Sequence, residues 1–226
     1  MVCVVPKPLP GLNYSTTFPL TENPISESGK WQSPNTAPWT SRVRTTGGNA
    51  IGDPAASSTN DAIACLVGAY YKNQKVTAKM FIGGALTGAE ETELHVLTTF
   101  SGANIFTYEM DMAPALTAIF AFVKWQGAQG LITVLPFING TTGNYVGNTC
   151  SDGDIFEFSV VDENLSPASL LLTLKQNGTI IAQARDTLAI SGTAPYTNGT
   201  PGIGFDNGGA NNANCGWADY AAVTTP

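Results

Sequence analysis

The 226-residue chain is predicted to be all-β, a sandwich or a barrel, and three observations point that way. Apolar and polar residues alternate over short runs, the period of half-buried strands. Gly, Asn, Ser and Thr gather between those runs, where turns need residues that tolerate unusual backbone angles. No segment carries a convincing helical period, and charged residues are only 12% of the chain, far from the Glu/Lys-rich texture of helical proteins.

Residues 1–14 are expected to form an extended arm, because Pro6, Pro8 and Pro10 suppress regular pairing; such an arm needs a surface to lie on. Residues 18–31 carry a first short strand and a turn-rich corner ending on Trp31, and residues 42–46 an alternating strand with its turn at Gly47, Gly48 and Asn49. Residues 62–71 are apolar on both faces, as a strand covered on two sides should be. In residues 75–82, Val76, Ala78 and Met80 alternate with Thr77, Lys79 and Phe81.

Residues 92–125 organise the rest. Leu94, Val96 and Phe100 are expected to face the core while Glu93, His95 and Thr99 face away. In the next run Phe106, Tyr108, Met110 and Met112 share one face and Thr107, Glu109 and Asp111 the other, with residues 101–104 short enough to close an antiparallel hairpin. This places Glu93, His95, Glu109 and Asp111 on one side of one sheet, an expected polar working face. Residues 115–125 form a long strand, 126–130 a turn and 131–137 the returning strand.

Residues 138–153 are a Gly/Asn-rich loop fit to rim a binding face. In the strand at 154–161, Phe156, Phe158 and Val160 point inward. Residues 170–176 and 179–185 flank Asn177-Gly178, a type I′ hairpin signal, since both residues accept positive φ cheaply. A short strand at 201–206, a polar loop at 207–214 and a closing strand at 217–223 complete the chain.

The net charge of -7, from 17 acids and 10 bases with no Lys/Arg cluster, argues against nucleic acid as a partner. Residues 1–10 are broken by prolines and read as neither a signal peptide nor a membrane span; the expected location is extracellular or on a virion surface, either with a new start codon given to a mature chain or by a route without a cleaved signal. Cys3, Cys65, Cys150 and Cys215 are widely spaced, which speaks against a zinc cage; disulfides and free buried thiols both fit. The Asn-x-Ser/Thr triplets at Asn139, Asn177 and Asn198 are all Asn-Gly-Thr, which turn chemistry explains without glycans.

The order of the pieces resembles the concanavalin A-like, or laminin-G-like, jelly roll of the uncharacterised bacterial and phage type. The similarity runs from Phe18, with Gly29-Lys30-Trp31, through Tyr108-Glu109, Val123-Lys124-Trp125-Gln126-Gly127, Gly153-Asp154, the Asn177-Gly178 turn and Pro201-Gly202-Ile203-Gly204-Phe205 to the closing Trp217-Ala218-Asp219-Tyr220 strand. The resemblance implies a jelly-roll β-sandwich of two antiparallel sheets over residues 15–226. It implies neither catalysis nor binding by itself, because the fold serves both.

Jelly-roll glucanases carry Glu-x-Asp-x-x-Glu on one strand; Glu109 and Asp111 match its first two positions, and Pro114 stands where the general acid belongs. A lyase would use His95 as base, with Tyr108, Lys124 and Arg185 as helpers, on a face whose acids repel a polyuronate. Sugar binding needs an exposed aromatic and amide or acid partners, for which Trp125, Trp39, Tyr145, Tyr196, Gln126, Asn139, Asn144 and Asn148 are candidates, with Trp31 and Trp217 expected in the core. No cofactor is required. The resemblance allows a structural calcium at Glu22 and Asp219, and Asp152 with Asp154 is a second oxygen-rich stretch that an ordinary turn also explains.

The expected function is a non-catalytic, lectin-like carbohydrate-binding module, a surface or virion-associated adhesin, with a ligand set of Glu93, His95, Glu109, Asp111, Lys124, Trp125, Gln126 and Tyr145. A phage or virion decoration protein, assembling as a homo-oligomer or lattice through the arm, is the second expectation. A polysaccharide lyase or glycoside hydrolase using His95, Glu109 and Asp111 is the third.

Overall fold

The computed structural model describes residues 11–34, 36–39, 41–53, 61–68, 70–86, 90–114, 119–138, 149–206 and 212–225. In chain order the strands are β1 (Asn13–Thr16), β2 (Trp31–Gln32), β3 (Val43–Thr45), β4 (Ala50–Gly52), β5 (Ala62–Leu66), β6 (Asn73–Ile82), β7 (Thr92–Ser101), β8 (Asn104–Ala113), β9 (Ile119–Gly127) and β10 (Ile132–Val134). They continue with β11 (Ile155–Asp162), β12 (Ser169–Gln176), β13 (Thr179–Thr187), β14 (Thr200–Phe205) and β15 (Cys215–Thr225), with one helical turn, α1 (Leu188–Ser191), after β13. Among the described residues no helix is long and apolar enough to cross a membrane.

The strands form two antiparallel sheets. One runs β13-β12-β11-β6-β15-β4-β3, with β1 also paired to β15; the other runs β10-β9-β8-β7-β14-β5-β2. Alternation along each strand turns one face of each sheet inward, and the two inner faces make one core containing Phe18, Trp31, Met80, Leu94, Met110, Phe122, Phe158, Ile203, Phe205, Trp217 and Tyr220. The expectation of a two-sheet antiparallel sandwich is met, and Trp31 and Trp217 lie in the core.

Local details follow from turn chemistry. Asn177 and Gly178 both take positive φ, 50° and 81°, as the β12–β13 hairpin requires. The β7–β8 hairpin closes through Gly102 at φ 61°. Two expectations need correction. The first strand lies at Asn13–Thr16, at the margin of the expected arm, because Tyr14 packs on Trp31 and Tyr220 there, while Phe18 turns the chain with φ 50°. Phe100 was expected beside Leu94 and Val96, but a bulge between Val96 and Thr99, with Leu97 at φ 56°, inverts the alternation. Phe100 therefore joins a second cluster on the outer face of the seven-stranded sheet, with Trp39, Ile63, Ile105, Ala121, Val123 and Trp125. The arm at 1–10 and most of the Asn-rich loop, at 139–148, lie outside the described residues.

Candidate functional site

On the outer face of the seven-stranded sheet, β7 and β8 pair Glu93 with Asp111 and His95 with Glu109, so the sequence-predicted quartet is brought together. His95 Nε2 lies 2.8 Å from Glu93 Oε2, and His95 Nδ1 lies 3.4 Å from Thr107 Oγ1. The Trp125 indole donates to Glu109 Oε2 at 2.5 Å. The quartet is not an open surface: Glu93, His95 and Glu109 are buried, and the apolar half of the same face stands beside them.

Burial decides their charge states. It pushes the His95 imidazolium down to about 3, so the ring is neutral. Burial first, and then neighbouring carboxylates, hold Glu93, Glu109 and Asp111 well above the usual carboxylate range. The hydrogen bond between Glu93 and His95 thus joins two groups whose neutral forms burial favours.

Three further acids, which sequence reasoning missed, belong to the neighbourhood. Asp61 and Glu91 are raised to about 7 by burial and by Asp206. They sit at the ends of runs rather than inside the alternation, so no periodicity marked them. Gly204 was also missed. It lies opposite Glu93 in the β14–β7 register, where an added Cβ would overlap Glu93 Oε2 and lie 2.5 Å from His95 Nε2. Outward glycines at 202 and 204, alternating with inward Ile203 and Phe205, were the available signal.

The other site candidates fall elsewhere. Lys124 points to the opposite, inner side, where its ammonium is fully buried between Asp186 Oδ2 at 2.7 Å, Ser191 Oγ at 2.9 Å and the carbonyls of Thr193 and Ala194. It shares the parity of Phe120 and Phe122, which the strand pattern already implied. Trp125 and Trp39, expected as exposed stacking platforms, are buried and pack edge to face at 5.2 Å, because Trp39 crosses over the hairpin end and donates to Ala103 O. Tyr196 packs on Phe106 and Tyr108. Gln126 holds Ser191 O and Thr193 Oγ1, while Tyr145, Asn139, Asn144 and Asn148 lie outside the described residues.

Glu22 Oε2 accepts from the amides of Ser26 and Glu27, and Asp219 faces Lys79 at 3.1 Å; no third ligating side chain groups with them among the described residues. Asp152 and Asp154 accept turn hydrogen bonds from Ile82 N and Ser151 N. Cys65, Cys150 and Cys215 are free thiols, and Cys3 lies outside the described residues.

A groove of about 530 Å³ opens on the other sheet, lined by Ser15, Thr16, Glu27, Lys30, Thr77 and Asp219 among others. Two of its lining residues hold backbone that side chains rarely adopt, Glu27 at φ 45° and Asp219 at φ 49°, and so do Phe18 at φ 50° and Ser28 at φ 62°, each next in sequence to a lining residue. Such conformations cost of order 1–3 kcal/mol each and persist where the surroundings hold them. Glu22 fixes the Glu27 turn, and the bulge at Asp219 in β15 turns that carboxylate out of the sheet ladder.

No protein-family model matches the chain, and no curated protein matches it in sequence. Its structure is similar to a Bacillus subtilis protein of unknown function with a galectin-like fold, at TM-score 0.59 and 9% identity over 93% of this chain and 94% of that one. The Bacillus licheniformis β-glucanase matches at 0.54 and 13% over 95% and 98%. The carbohydrate recognition domain of Emp46p, in its potassium-bound form, matches at 0.54 and 10% over 87% and 89%. At these identities the likeness concerns the fold, and the fold of this chain is the concanavalin A-like jelly roll.

Proposed function

We propose that the chain is a non-catalytic carbohydrate-binding module whose ligand lies in the groove between β1, the Glu27 turn and β15. The groove itself carries the reading. Its volume falls in the range of ligand sites, about 300–1,000 Å³, and its walls present hydroxyls from Ser15, Thr16, Thr17 and Thr77, an ammonium from Lys30 and a carboxylate from Asp219. Donors and acceptors at that density suit a polyhydroxylated ligand. Two structural neighbours, a β-glucanase and a carbohydrate recognition domain, are proteins whose descriptions concern carbohydrate, which supports the same reading.

The absence of turnover from the proposal rests on residues. Pro114 occupies the position where the glucanase strand pattern has its acid, and Glu109 is sealed against Trp125 instead of facing an open cleft. Screening the chain on a glycan array, followed by calorimetry on the hits, tests the binding. Asp219→Gly keeps the positive-φ backbone and removes the carboxylate; it is expected to weaken binding about tenfold or more, since a hydrogen bond to a charged group contributes about 1.5–3 kcal/mol. An array without hits, or hits that Asp219→Gly leaves intact, would overturn the proposal.

A further inference from the structure

We propose that Glu93, His95, Glu109 and Asp111 form a site for one divalent transition-metal ion of the Zn²⁺ type, set into the outer face of the seven-stranded sheet. It is separate from the groove, which lies on the other sheet, so the two proposals stand or fall independently.

The donor set is the first argument. Adjacent strands bring one imidazole nitrogen and carboxylate oxygens to a common point, and the ligand atoms of Glu93, His95 and Glu109 all lie within 4.8 Å of one another. Tetrahedral Zn²⁺ with bonds near 2.1 Å needs donors about 3.4 Å apart. The 2.8 Å separation of Nε2 and Oε2 would open by about half an ångström when an ion replaces the proton between them. Asp111, directly across the strand pair from Glu93, lies outside that group of three and would swing in as the fourth donor when the ion binds. Calcium is the poorer match, because it takes six to eight oxygens and no imidazole.

The second argument is the state of Asp111. Its Oδ1 is closed off from solvent and has no hydrogen-bond partner. The charges acting on Glu93, Glu109 and Asp111 are those of other carboxylates, with no Lys or Arg among them. The described lysines and arginine that form ion pairs do so elsewhere: Lys72 with Asp162, Lys75 and Lys175 with Glu157, Lys79 with Asp219, Lys124 with Asp186 and Arg185 with Glu163. Buried acids gathered without a cation lack their counter-charge, and a dication supplies it.

The surrounding chain is shaped for the same arrangement. Gly204 clears the space that Glu93 and His95 fill, and any larger residue there would collide with both ligands. Thr107 Oγ1 meets the His95 Nδ1 edge at 3.4 Å and is itself anchored to Thr98 Oγ1 at 2.8 Å, which leaves Nε2 as the coordinating nitrogen. Trp125 fixes one oxygen of Glu109 and leaves the other for the ion. Glu93, His95 and Glu109 therefore each have an outer partner or a cleared space of their own.

Zn²⁺ is the probe. Chain freed of metal with a chelator and dialysed against Zn²⁺ is expected to hold one ion per molecule by native mass spectrometry and to melt several degrees higher than the stripped form. Glu109→Gln with Asp111→Asn preserves volume and removes two ligating charges. This double variant is expected to lose at least about tenfold in affinity, and its melting temperature should no longer respond to Zn²⁺. Glu163→Gln, at a distant ion pair, should bind as wild type. Co²⁺ in place of Zn²⁺ should give wild-type chain the visible absorption of a four-coordinate site with a nitrogen ligand, a reading that needs no variant to fold. Zn²⁺ binding shared equally by the wild type and the double variant would place the ion elsewhere and overturn the proposal. So would a wild type indifferent to Zn²⁺ and a double variant simply more stable, since shared protons alone then hold the cluster.

Discussion

Lys124 shows at a single residue how burial assigns a role. Its ammonium has no exposed surface, Asp186 is equally buried, and Tyr108 donates to the same carboxylate oxygen. Desolvation lowers the lysine's pKa while Asp186 raises it, with a net shift downward. Two carbonyls and Ser191 complete the shell around Nζ, so every proton of the ammonium has an acceptor. A buried pair of this kind can contribute little net stability, yet breaking it leaves one charge stranded. Lys124→Met is therefore expected to destabilise the chain by about 3–5 kcal/mol, measured by urea denaturation. Adding Asp186→Leu should restore most of the loss, because both charges are then gone; no recovery would mean that packing around Tyr108 and Tyr196 dominates.

At the scale of elements, Asp154 ties the turn before β11 to the tip of the β12–β13 hairpin. Its carboxylate accepts from Ser151 N, Gln176 Nε2 and Asn177 Nδ2, each at 2.8 Å, and Asn177 Oδ1 in turn accepts from Ile155 N. Burial alone would raise its pKa, but the hydrogen bonds from Asn177, Ser151 and Gln176 together outweigh it and bring the group below its ordinary 3.8. A carboxyl depressed on folding stabilises the native state fully above its unfolded value, and that contribution fades as pH falls through the folded value. The melting-temperature advantage of wild type over Asp154→Asn should thus be constant from about pH 7 to 5 and shrink below about pH 4. An advantage unchanged down to about pH 2 would show that the clamp does not depend on charge.

Elements are also where the sequence was most and least legible. The hairpin at Asn177-Gly178 and the shared face of Glu93, His95, Glu109 and Asp111 could be read directly, because both depend on neighbouring residues and a period of two. Phe100 could not, since a bulge at Leu97 is invisible to a periodic pattern; Gly199, whose added Cβ would overlap the Leu97 backbone, lies a hundred residues away in sequence. Trp125 failed for a similar reason: what covers a strand end is decided by Trp39, from a distant segment. The groove was hidden because its walls come from β1, the Glu27 turn, β6 and β15, and the β15–β1 pairing brings together segments some two hundred residues apart in sequence.

At the scale of the whole molecule, the pairing of β1 with β15 and of β14 with both β5 and β7 makes most contacts remote in sequence. Such topologies close long loops before they gain contacts, and they fold in roughly milliseconds to seconds rather than microseconds. One core touches both sheets, so their inner faces are buried against each other, while a second cluster covers part of the outer face of the seven-stranded sheet. The four tryptophans offer a test of that unity, because Trp31 and Trp217 sit in the shared core while Trp39 and Trp125 belong to the outer-face cluster. Far-ultraviolet dichroism, which follows both sheets, should trace the same denaturant transition as tryptophan fluorescence from the wild type. It should also match the transition of a Trp39→Phe/Trp125→Phe variant that reports only the shared core. Were the outer cluster to melt first, fluorescence would move ahead of dichroism in the wild type and fall back into step with it in the variant. The outer face would then be a separable layer laid over the sandwich, and the acids beside it would be open to solvent well before the fold was lost.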